Sequence, residues 1–347
     1  MASFNGGGVY QGTLSNCFLI GNEGNATAYG LSDGGGAIYA TLYNCTLTGN
    51  STVGDGGGVY QGTLYNCIVN SNTASLNGGG ASSGFYRVTL YNCLVVGNMA
   101  GTGGGAYSVN LYDCTVSGNT ATNDAGGVYG GSQFNTTIYF NSAPNNSNWD
   151  GSQFYYCCTT PGATGVMTTN APLFVNQVVG DYHLQSNSPC INAGYNAYVS
   201  VTNDYDGNPR IQGGTVDLGA YEFQNPSSVL SYAWAQQYGL PTDGTADYAN
   251  YDGDGFSNWQ KSKTGVNPFD STTDLQMLST SDSVSGATVT WQSVSGIIYY
   301  LQRSSDLTAQ PAFSTIQSDI VGQTSTTSFT DTTATNGGPY FYRVGVQ

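Results

Sequence analysis

The first half of the chain repeats one order of apolar and polar positions. A glycine triplet or its equivalent begins at positions 6, 34, 56, 78, 103 and 125, and a small apolar residue follows each one. A Leu or Ile comes next, at Leu14, Leu42, Leu64, Leu90, Leu111 and Ile138. The stretches between glycines are rich in Thr, Val and Tyr, which is typical of strands. The intervals of 28, 22, 22, 25 and 22 residues suit one coil of a solenoid.

Stacked coils would bring equivalent positions about 4.8 Å apart, so residues that recur should form columns. One column is cysteine: Cys17, Cys45, Cys67, Cys93 and Cys114. We expect these thiols to point inward and to stay mostly reduced, because adjacent parallel strands hold sulfurs in poor disulfide geometry. Cys157, Cys158 and Cys190 lie outside the column and are better candidates for pairing.

A second column is asparagine: Asn22, Asn50, Asn72, Asn98, Asn119 and Asn141. Asparagine tolerates left-handed corners, and its amide can bond to the next coil, so this column predicts an asparagine ladder. With the glycine triplets, it resembles the right-handed parallel β-helix proteins of the pectate-lyase-like superfamily, in particular large bacterial surface proteins. The resemblance covers roughly residues 5–160 and implies a fold rather than an activity.

Two acidic residues in the coils are candidates for chemistry. Asp33, Asp55 and Asp124 fall just before the glycine triplet, where other coils have Asn5, Asn77 and Thr102. Asp33 and Asp55 on adjacent coils could hold a cation or share a proton. The alternative is that these side-chain oxygens cap a turn. The coils contain no His and, among Lys and Arg, only Arg87. We therefore predict no catalytic residues in them.

An aromatic stripe is expected on the outer surface. Tyr43, Tyr65, Tyr91 and Tyr112 occupy the same position of consecutive coils and should stack. Exposed aromatic rings can bind sugars or a neighbouring subunit. Alternatively, the stripe is a cross-strand ladder that only stiffens the sheet.

Beyond the coils, which we place at residues 1–161, the repeat fades. The phrases "NAPLFVN" (170–176), "DYHLQSNSPCINAG" (181–194) and "DYDGNPRIQGGTVDLGAYEF" (204–223) closely resemble the choice-of-anchor Q region of bacterial secreted β-helices. We assign residues 162–228 to this region, and the resemblance implies export and surface display. His183, the single histidine, lacks a partner for metal binding or catalysis and is predicted to be structural.

Residues 229–272 contain a candidate calcium loop that resembles dockerin-like or thrombospondin type 3-like loops. Numbered as a calcium loop, positions 1, 3, 5, 7 and 9 are Asn250, Asp252, Asp254, Phe256 and Asn258. Position 12, usually a bidentate Glu, is Lys261, so calcium binding requires a substitute such as Asp243 or Asp247. We expect Ca²⁺ here, and the alternative is a solvated acidic turn.

The last segment, 273–347, alternates apolar and polar positions in "ATVTWQS", "IIYYLQRS", "TSFTD" and "YFYRVGV". This pattern predicts an antiparallel β-sandwich, and the segment resembles fibronectin type III-like modules of secreted bacterial proteins. The predicted fold class is therefore mostly β: a right-handed parallel β-helix solenoid, a short calcium-loop segment and a C-terminal β-sandwich.

Composition narrows the choice of partners. The 347 residues include 21 Asp plus Glu against 6 Lys plus Arg, a formal net charge of −15. This charge disfavours nucleic acid and anionic membrane surfaces as partners and suits an extracellular protein. No apolar run reaches the roughly 18 residues of a spanning helix, and the N-terminus lacks a signal-peptide pattern, so we expect no membrane insertion and a signal peptide absent from this chain.

Three functions compete. The preferred hypothesis is a non-enzymatic structural or adhesive surface protein, because the repeats carry shape and no catalytic bases. The alternatives are a polysaccharide-binding protein and a polysaccharide-degrading lyase or hydrolase, by analogy of fold alone. The first coil begins without capping sequence, so we predict that another copy covers it head to tail and builds a filament.

Overall fold

The structure is a computed structural model, and it describes residues 7–24, 33–283, 285–335 and 338–346. The chain divides into two compact units, Met1–Ala233 and Trp234–Gln347. In the first unit, the described residues form a parallel β-solenoid of about six turns. The second unit carries antiparallel sheets. The predicted fold class is confirmed.

Among the described residues, three parallel sheets run along the solenoid; sheets A and B extend through the last turns, and sheet C ends at Thr120–Asp124. Sheet A consists of Val9–Ser15, Ala37–Tyr43, Val59–Tyr60, Thr63–Tyr65, Ala81–Ser82, Thr89–Tyr91, Ala106–Tyr107, Asn110–Tyr112, Val128–Tyr129, Ser132–Phe134, Trp149–Asp150 and Gln153–Tyr155. Sheet B consists of Phe18–Ile20, Thr46–Thr48, Ile68–Asn70, Leu94–Val96, Thr115–Ser117, Thr137–Tyr139, Cys157–Thr159 and Val166–Thr168. Sheet C consists of Glu23–Gly24, Ser51–Thr52, Thr73–Ala74, Met99–Thr102 and Thr120–Asp124.

The strand register places like residues over like residues, as the repeat predicts. Leu42 pairs with Leu64, and Leu90 pairs with Leu111 in the same column. The alignment is wrong at one point. Gln133, not Ile138, continues the leucine column, and Ile138 pairs with Val116 in sheet B. The error arises because the sixth turn carries Gln where the others have Leu, and the apolar residue five positions later attracts the alignment.

The glycine triplets are required by the close approach of neighbouring turns. Gly34, the first of its triplet, has a φ of 67°, in the left-handed region that glycine favours. A Cβ on Gly35, the second, would lie 2.4 Å from the carbonyl oxygens of both Gly57 and Ser51. The triplet therefore provides first a corner and then backbone without side chains, which lets two turns pack in contact.

An asparagine ladder runs through the interior. In each turn the backbone N–H and the Nδ2 amide of one Asn both donate to Oδ1 of the Asn in the next turn, at 2.8 to 3.0 Å from Asn22 through Asn98. The ladder continues through Asn119 and Asn141 to Asn148. The prediction is confirmed, and the ladder satisfies buried polar groups that would otherwise destabilise the core.

The cysteine column also faces inward. The backbone N–H of Cys45 donates to Sγ of Cys67 at 3.4 Å, and the same contact recurs along the column. All eight cysteines are free thiols. The reduced column is as predicted, whereas the expected pairing among Cys157, Cys158 and Cys190 is absent from the described residues.

The segment after the turns lies alongside the solenoid. It includes the hairpin Phe174–Asn176 and Asp181–Leu184 and the short 3₁₀ helices Gln177–Val179 and Asn196–Tyr198. Asn135 holds it through both side-chain atoms, accepting from Tyr195 N at 2.8 Å and donating to Tyr195 O at 3.1 Å. Thr115 accepts from Ala220 N at 3.0 Å. The polar contacts of this segment thus go to the outer side of the turns.

The second unit contains two three-stranded antiparallel sheets among its described residues. Sheet D is Met277–Ser283, Gly286–Ser293 and Ser325–Asp331, and sheet E is Ile298–Ser304, Ser314–Val321 and Phe341–Val346. Trp291 of sheet D and Leu301 of sheet E are buried in one apolar core. Helix α1 (Tyr232–Gln237) includes the unit boundary, and helix α2 (Asn258–Thr264) precedes the sheets.

Candidate functional site

The edge of the first turn is open within the described residues. We call the first-turn edge the strands Val9–Ser15, Phe18–Ile20 and Glu23–Gly24. Each pairs on one side only with a strand of the next turn, and no described strand pairs with the other side. The side chains of Phe18 and Ile20 are 74% and 63% exposed. Among the described residues, these strands therefore have partners on one side only, beside exposed apolar side chains.

The interior columns are also open at this edge. Leu14, Cys17 and Asn22 are half-buried, whereas Leu42, Cys45 and Asn50, their equivalents one turn on, are at most 1% exposed. A hollow of about 390 Å³ lies among these first-turn residues. Oδ1 of Asn50 accepts two hydrogen bonds from Asn22, but Oδ1 of Asn22 accepts none from any described residue. Within the described residues, the interior columns are thus less covered at this edge than one turn on.

The tyrosine stripe is a continuous stack. The rings of Tyr43 and Tyr65 lie 4.8 Å apart and those of Tyr91 and Tyr112 lie 5.0 Å apart, with Tyr65 and Tyr91 stacked between them. Phe134 and Tyr155 extend the column, which the sequence alignment missed. Because each ring covers the face of the next, the stripe presents ring edges and hydroxyls to the outside. A sugar ring normally stacks on an aromatic face, so this geometry favours the ladder interpretation.

Asp33 and Asp55 serve the corner between turns. Oδ1 of Asp33 accepts the backbone N–H of Asp55 at 2.9 Å, and Oδ1 of Asp55 accepts that of Asn77 at 3.0 Å. Burial raises the pKa of both carboxyls, opposed by these hydrogen bonds. These carboxylates thus bond to the next coil, 22 residues on, rather than capping their own turn. Asn5, the next member of the column, lies outside the described residues.

The candidate calcium loop has a lysine among its carboxylates. Nζ of Lys261 forms ion pairs with Asp252 and Asp254 and lies 3.4 Å from Oδ1 of Asp274. The Lys261 side chain is 1% exposed, and the three carboxylate side chains are 6%, 7% and 9% exposed. Burial opposes ionisation of Asp254, but the hydrogen bonds from Lys261 and Phe256 N lower its pKa to about 2. The ammonium is therefore part of the interior of the loop.

The other predicted ligands are partly engaged elsewhere. Oδ1 of Asn250 accepts Gly253 N at 2.9 Å, and Nδ2 of Asn258 donates to Ala246 O at 2.8 Å. Asp247 is buried, and Phe256 is 45% exposed. Asp243 caps its own turn by accepting from Thr245. Oδ1 of Asp243 is thus already bonded within its own turn.

This arrangement does not fit a calcium ion. Two oxygens of the predicted ligands, Oδ1 of Asp252 and Oδ1 of Asn258, are buried without a hydrogen-bond partner. However, an ion held by Asp252 and Asp254 would lie within roughly 5 Å of Nζ of Lys261, where repulsion is about 7 kcal/mol at an effective dielectric of 20. In the described part of the chain, no group of three or more His, Cys, Asp or Glu side chains is arranged to hold a metal. Calcium binding stays a prediction, and it would require Lys261 to move out.

Two charged clusters escaped the sequence analysis. His183 is held between two carboxylates, with Nδ1 at 2.6 Å from Asp181 and Nε2 at 2.6 Å from Asp206. Arg210 is buried at 3.5 Å from Asp113. Asp206 and Arg210 belong to the stretch "DYDGNPR" (204–210). Their partners are distant in the sequence, so spacing alone did not indicate these contacts. Asp274 was missed for the same reason, since it lies 13 residues after Lys261.

No protein-family model matches this chain, and no curated protein or solved structure matches it either. The parallel β-solenoid is observed directly, while the predicted family, the anchor region and the fibronectin type III likeness stay predictions. Among the described residues, no helix is long and apolar enough to cross a membrane.

Proposed function

We propose that this chain is a non-enzymatic, extracellular structural or adhesive protein, and that copies join head to tail through the first-turn edge. The observation that carries the proposal is the set of half-buried interior residues at that edge, whose equivalents one turn on are covered. A strand-bearing turn of another copy with the same pattern would bury Leu14 and Cys17 and donate to Oδ1 of Asn22, which accepts no hydrogen bond from the described residues.

The chemistry of the edge favours a second copy as the occupant. Unpaired parallel strands select another strand, because their N–H and C=O groups need partners at regular spacing. Since the contact joins two different surfaces of the same protein, it does not close on itself and extends into a filament. The net charge of −15 opposes the approach of copies, so assembly should strengthen as salt screens the repulsion.

Side chains that could perform chemistry in the turns are used for structure, which supports a non-enzymatic role. Asp33 and Asp55 accept backbone hydrogen bonds at a corner. The interior cysteines bond to the backbone of neighbouring turns. A lyase or hydrolase would need an acid or base directed toward a substrate.

The test uses two exposed edge residues. The double variant Phe18→Lys and Ile20→Lys adds charge to the edge while leaving the interior intact. Its matched control is Val178→Lys with Val179→Lys, since these side chains are 95% and 74% exposed but lie in a 3₁₀ helix away from the edge. Light scattering should show concentration-dependent assembly for the wild type and the control, and monomer for the edge variant. Equal assembly of all three proteins would refute the proposed contact.

Polysaccharide binding is a second candidate, favoured by a different aromatic group. The rings of Tyr10, Tyr39 and Tyr86 contact one another edge to face. Tyr86 is 69% exposed and Phe85 is fully exposed, so ring faces are accessible here. Affinity electrophoresis in neutral and acidic polysaccharides should show retardation that Tyr86→Ala removes. Tyr248→Ala, at a similarly exposed tyrosine of the second unit, is the control. Unchanged mobility of the wild type in every polysaccharide would exclude this function.

A further inference from the structure

We propose that Lys261 takes the place of a calcium ion in residues 250–261, so that this loop folds around a charge carried by the chain itself. The ammonium forms ion pairs with the residues at loop positions 3 and 5, Asp252 and Asp254, which are the acidic ligands in a calcium loop of this pattern. The loop therefore keeps the shape of a metal site without depending on a metal.

Helix α2 fixes where the ammonium goes. Ser257 caps the helix by accepting from Gln260 N, and the Gln260 side chain accepts in turn from Ser257 N, so the start of the helix is set by a capping box. Lys261 is then the fourth residue of the helix, one turn after the cap, and its backbone N–H donates to Ser257 O at 3.0 Å. Helical side chains tilt toward the N-terminus, which directs the long lysine side chain back into the loop.

A third carboxylate completes the arrangement. Asp274 comes from the segment that leads into sheet D, and its Oδ1 lies 3.4 Å from Nζ of Lys261. An ammonium group has three donors and no acceptor, which suits three carboxylates. Lys261 thereby links the loop to the segment that leads into sheet D, within the second unit. In a calcium loop, the residue at position 12 contacts the bound ion instead.

The consequence is independence from calcium. A charge on a side chain is present at a fixed stoichiometry, whereas an ion leaves when its concentration falls below its dissociation constant. Position 12 then decides which cation the loop uses. Glutamate at this position would remove the ammonium and restore the bidentate ligand, and methionine would remove the charge while keeping most of the length.

The experiment measures thermal unfolding of the full chain in millimolar Ca²⁺ and in excess chelator. The variants are Lys261→Glu, Lys261→Met and the control Lys263→Glu, which makes the same charge change two residues along the helix. We expect the melting temperature of the wild type to be the same in Ca²⁺ and in chelator. The melting temperature of Lys263→Glu should likewise not differ between the two buffers. Lys261→Glu should melt several degrees lower in chelator and recover with Ca²⁺, and Lys261→Met should be destabilised in both.

Binding is measured separately by terbium luminescence, with Trp259 in the loop as the sensitising donor. Terbium should give a saturable signal with Lys261→Glu and none above background with the wild type. A wild-type protein that binds one calcium ion and is stabilised by it would overturn the proposal. A folded Lys261→Glu protein that binds no ion would also overturn it, because the loop would then not be a cation site. If Lys261→Glu fails to fold, the calcium response of the wild type still decides.

Discussion

Replacing Asn98 by alanine should destabilise the solenoid strongly, because this side chain makes contacts with two neighbouring turns. Its Oδ1 accepts from N and Nδ2 of Asn72 at 2.9 and 3.0 Å. Its Nδ2 donates to Val69 O at 2.8 Å and to Oδ1 of Asn119 at 2.9 Å. Alanine removes these four hydrogen bonds to neighbouring turns, and a fifth within the same turn from Nδ2 to Val96 O at 3.2 Å, at a position that is 1% exposed.

The magnitude follows from these contacts. Four hydrogen bonds at about 1 kcal/mol each give a loss of about 4 kcal/mol in the free energy of unfolding. The backbone N–H of Asn72 would also be left buried without an acceptor. Such a donor carries a desolvation penalty, so the loss in free energy of unfolding should not fall below this value. A surface substitution in sheet C, whose strand Met99–Thr102 begins directly after Asn98, provides the comparison. Asn123→Ala, at an exposed residue one turn on, should change stability by less than about 0.5 kcal/mol.

The assay is urea unfolding followed by circular dichroism, together with hydrogen exchange of the peptides that contain Asn72 and Asn119. Exchange reports on individual turns, which matters because a stacked repeat can open locally. We expect Asn98→Ala to lower the unfolding midpoint and to speed exchange in the two adjacent turns first. A loss below 1 kcal/mol, or one equal to that of Asn123→Ala, would refute the structural role of the ladder.

Three further predictions concern glycine, histidine and cysteine. Gly57→Ala should lower the free energy of unfolding in urea by about 3 kcal/mol, because its Cβ would lie 2.5 Å from Gly79 O. Gly21 has open space around it, so Gly21→Ala should cost only about 1 kcal/mol, for its φ of 62°. Equal losses for the two variants would contradict the role of close packing at Gly57. Burial lowers the pKa of His183, but hydrogen bonds to Asp206 and Asp181 outweigh it and raise this pKa, while His183 lowers the pKa of Asp181. The stabilisation by these pairs should therefore be fully present between about pH 4 and pH 6.5. It should be lost as pH rises through the raised His183 pKa, or as pH falls through the lowered Asp181 pKa. The melting temperatures of wild type and His183→Gln should differ most in that window, and a difference that grows above pH 6.5 would contradict this. In folded, unassembled protein at low concentration, maleimide should label only Cys17, because the other seven thiols are buried, and mass spectrometry that finds several labels would contradict this.

The repeat made the solenoid predictable because each turn meets the same neighbour. Glycine, Asn and Cys recur at spacings that only stacked turns bring together, so local sequence already encodes the long-range contact. The prediction failed where a turn departs from the pattern. Gln133 replaces leucine, and the alignment then moved to Ile138.

The second unit was less predictable at its site. The alternation of "ATVTWQS" was enough to predict antiparallel strands. The loop pattern also identified Asp252 and Asp254 as a pair of charges around one centre. Which cation lies between them depends on the direction of the Lys261 side chain on α2 and on the position of Asp274. Both are set by packing rather than by spacing in the sequence. The positive charge at position 12 was the signal available in the sequence.

The central functional claim is that copies join through the first-turn edge. Cryo-electron microscopy of the purified chain at raised concentration and salt tests it most directly. The account predicts filaments in which strands Val9–Ser15 and Phe18–Ile20 of one copy pair with strands of the next, at about 4.8 Å. A population that stays monomeric at every concentration and salt level, or filaments in which this edge remains uncovered, would contradict it.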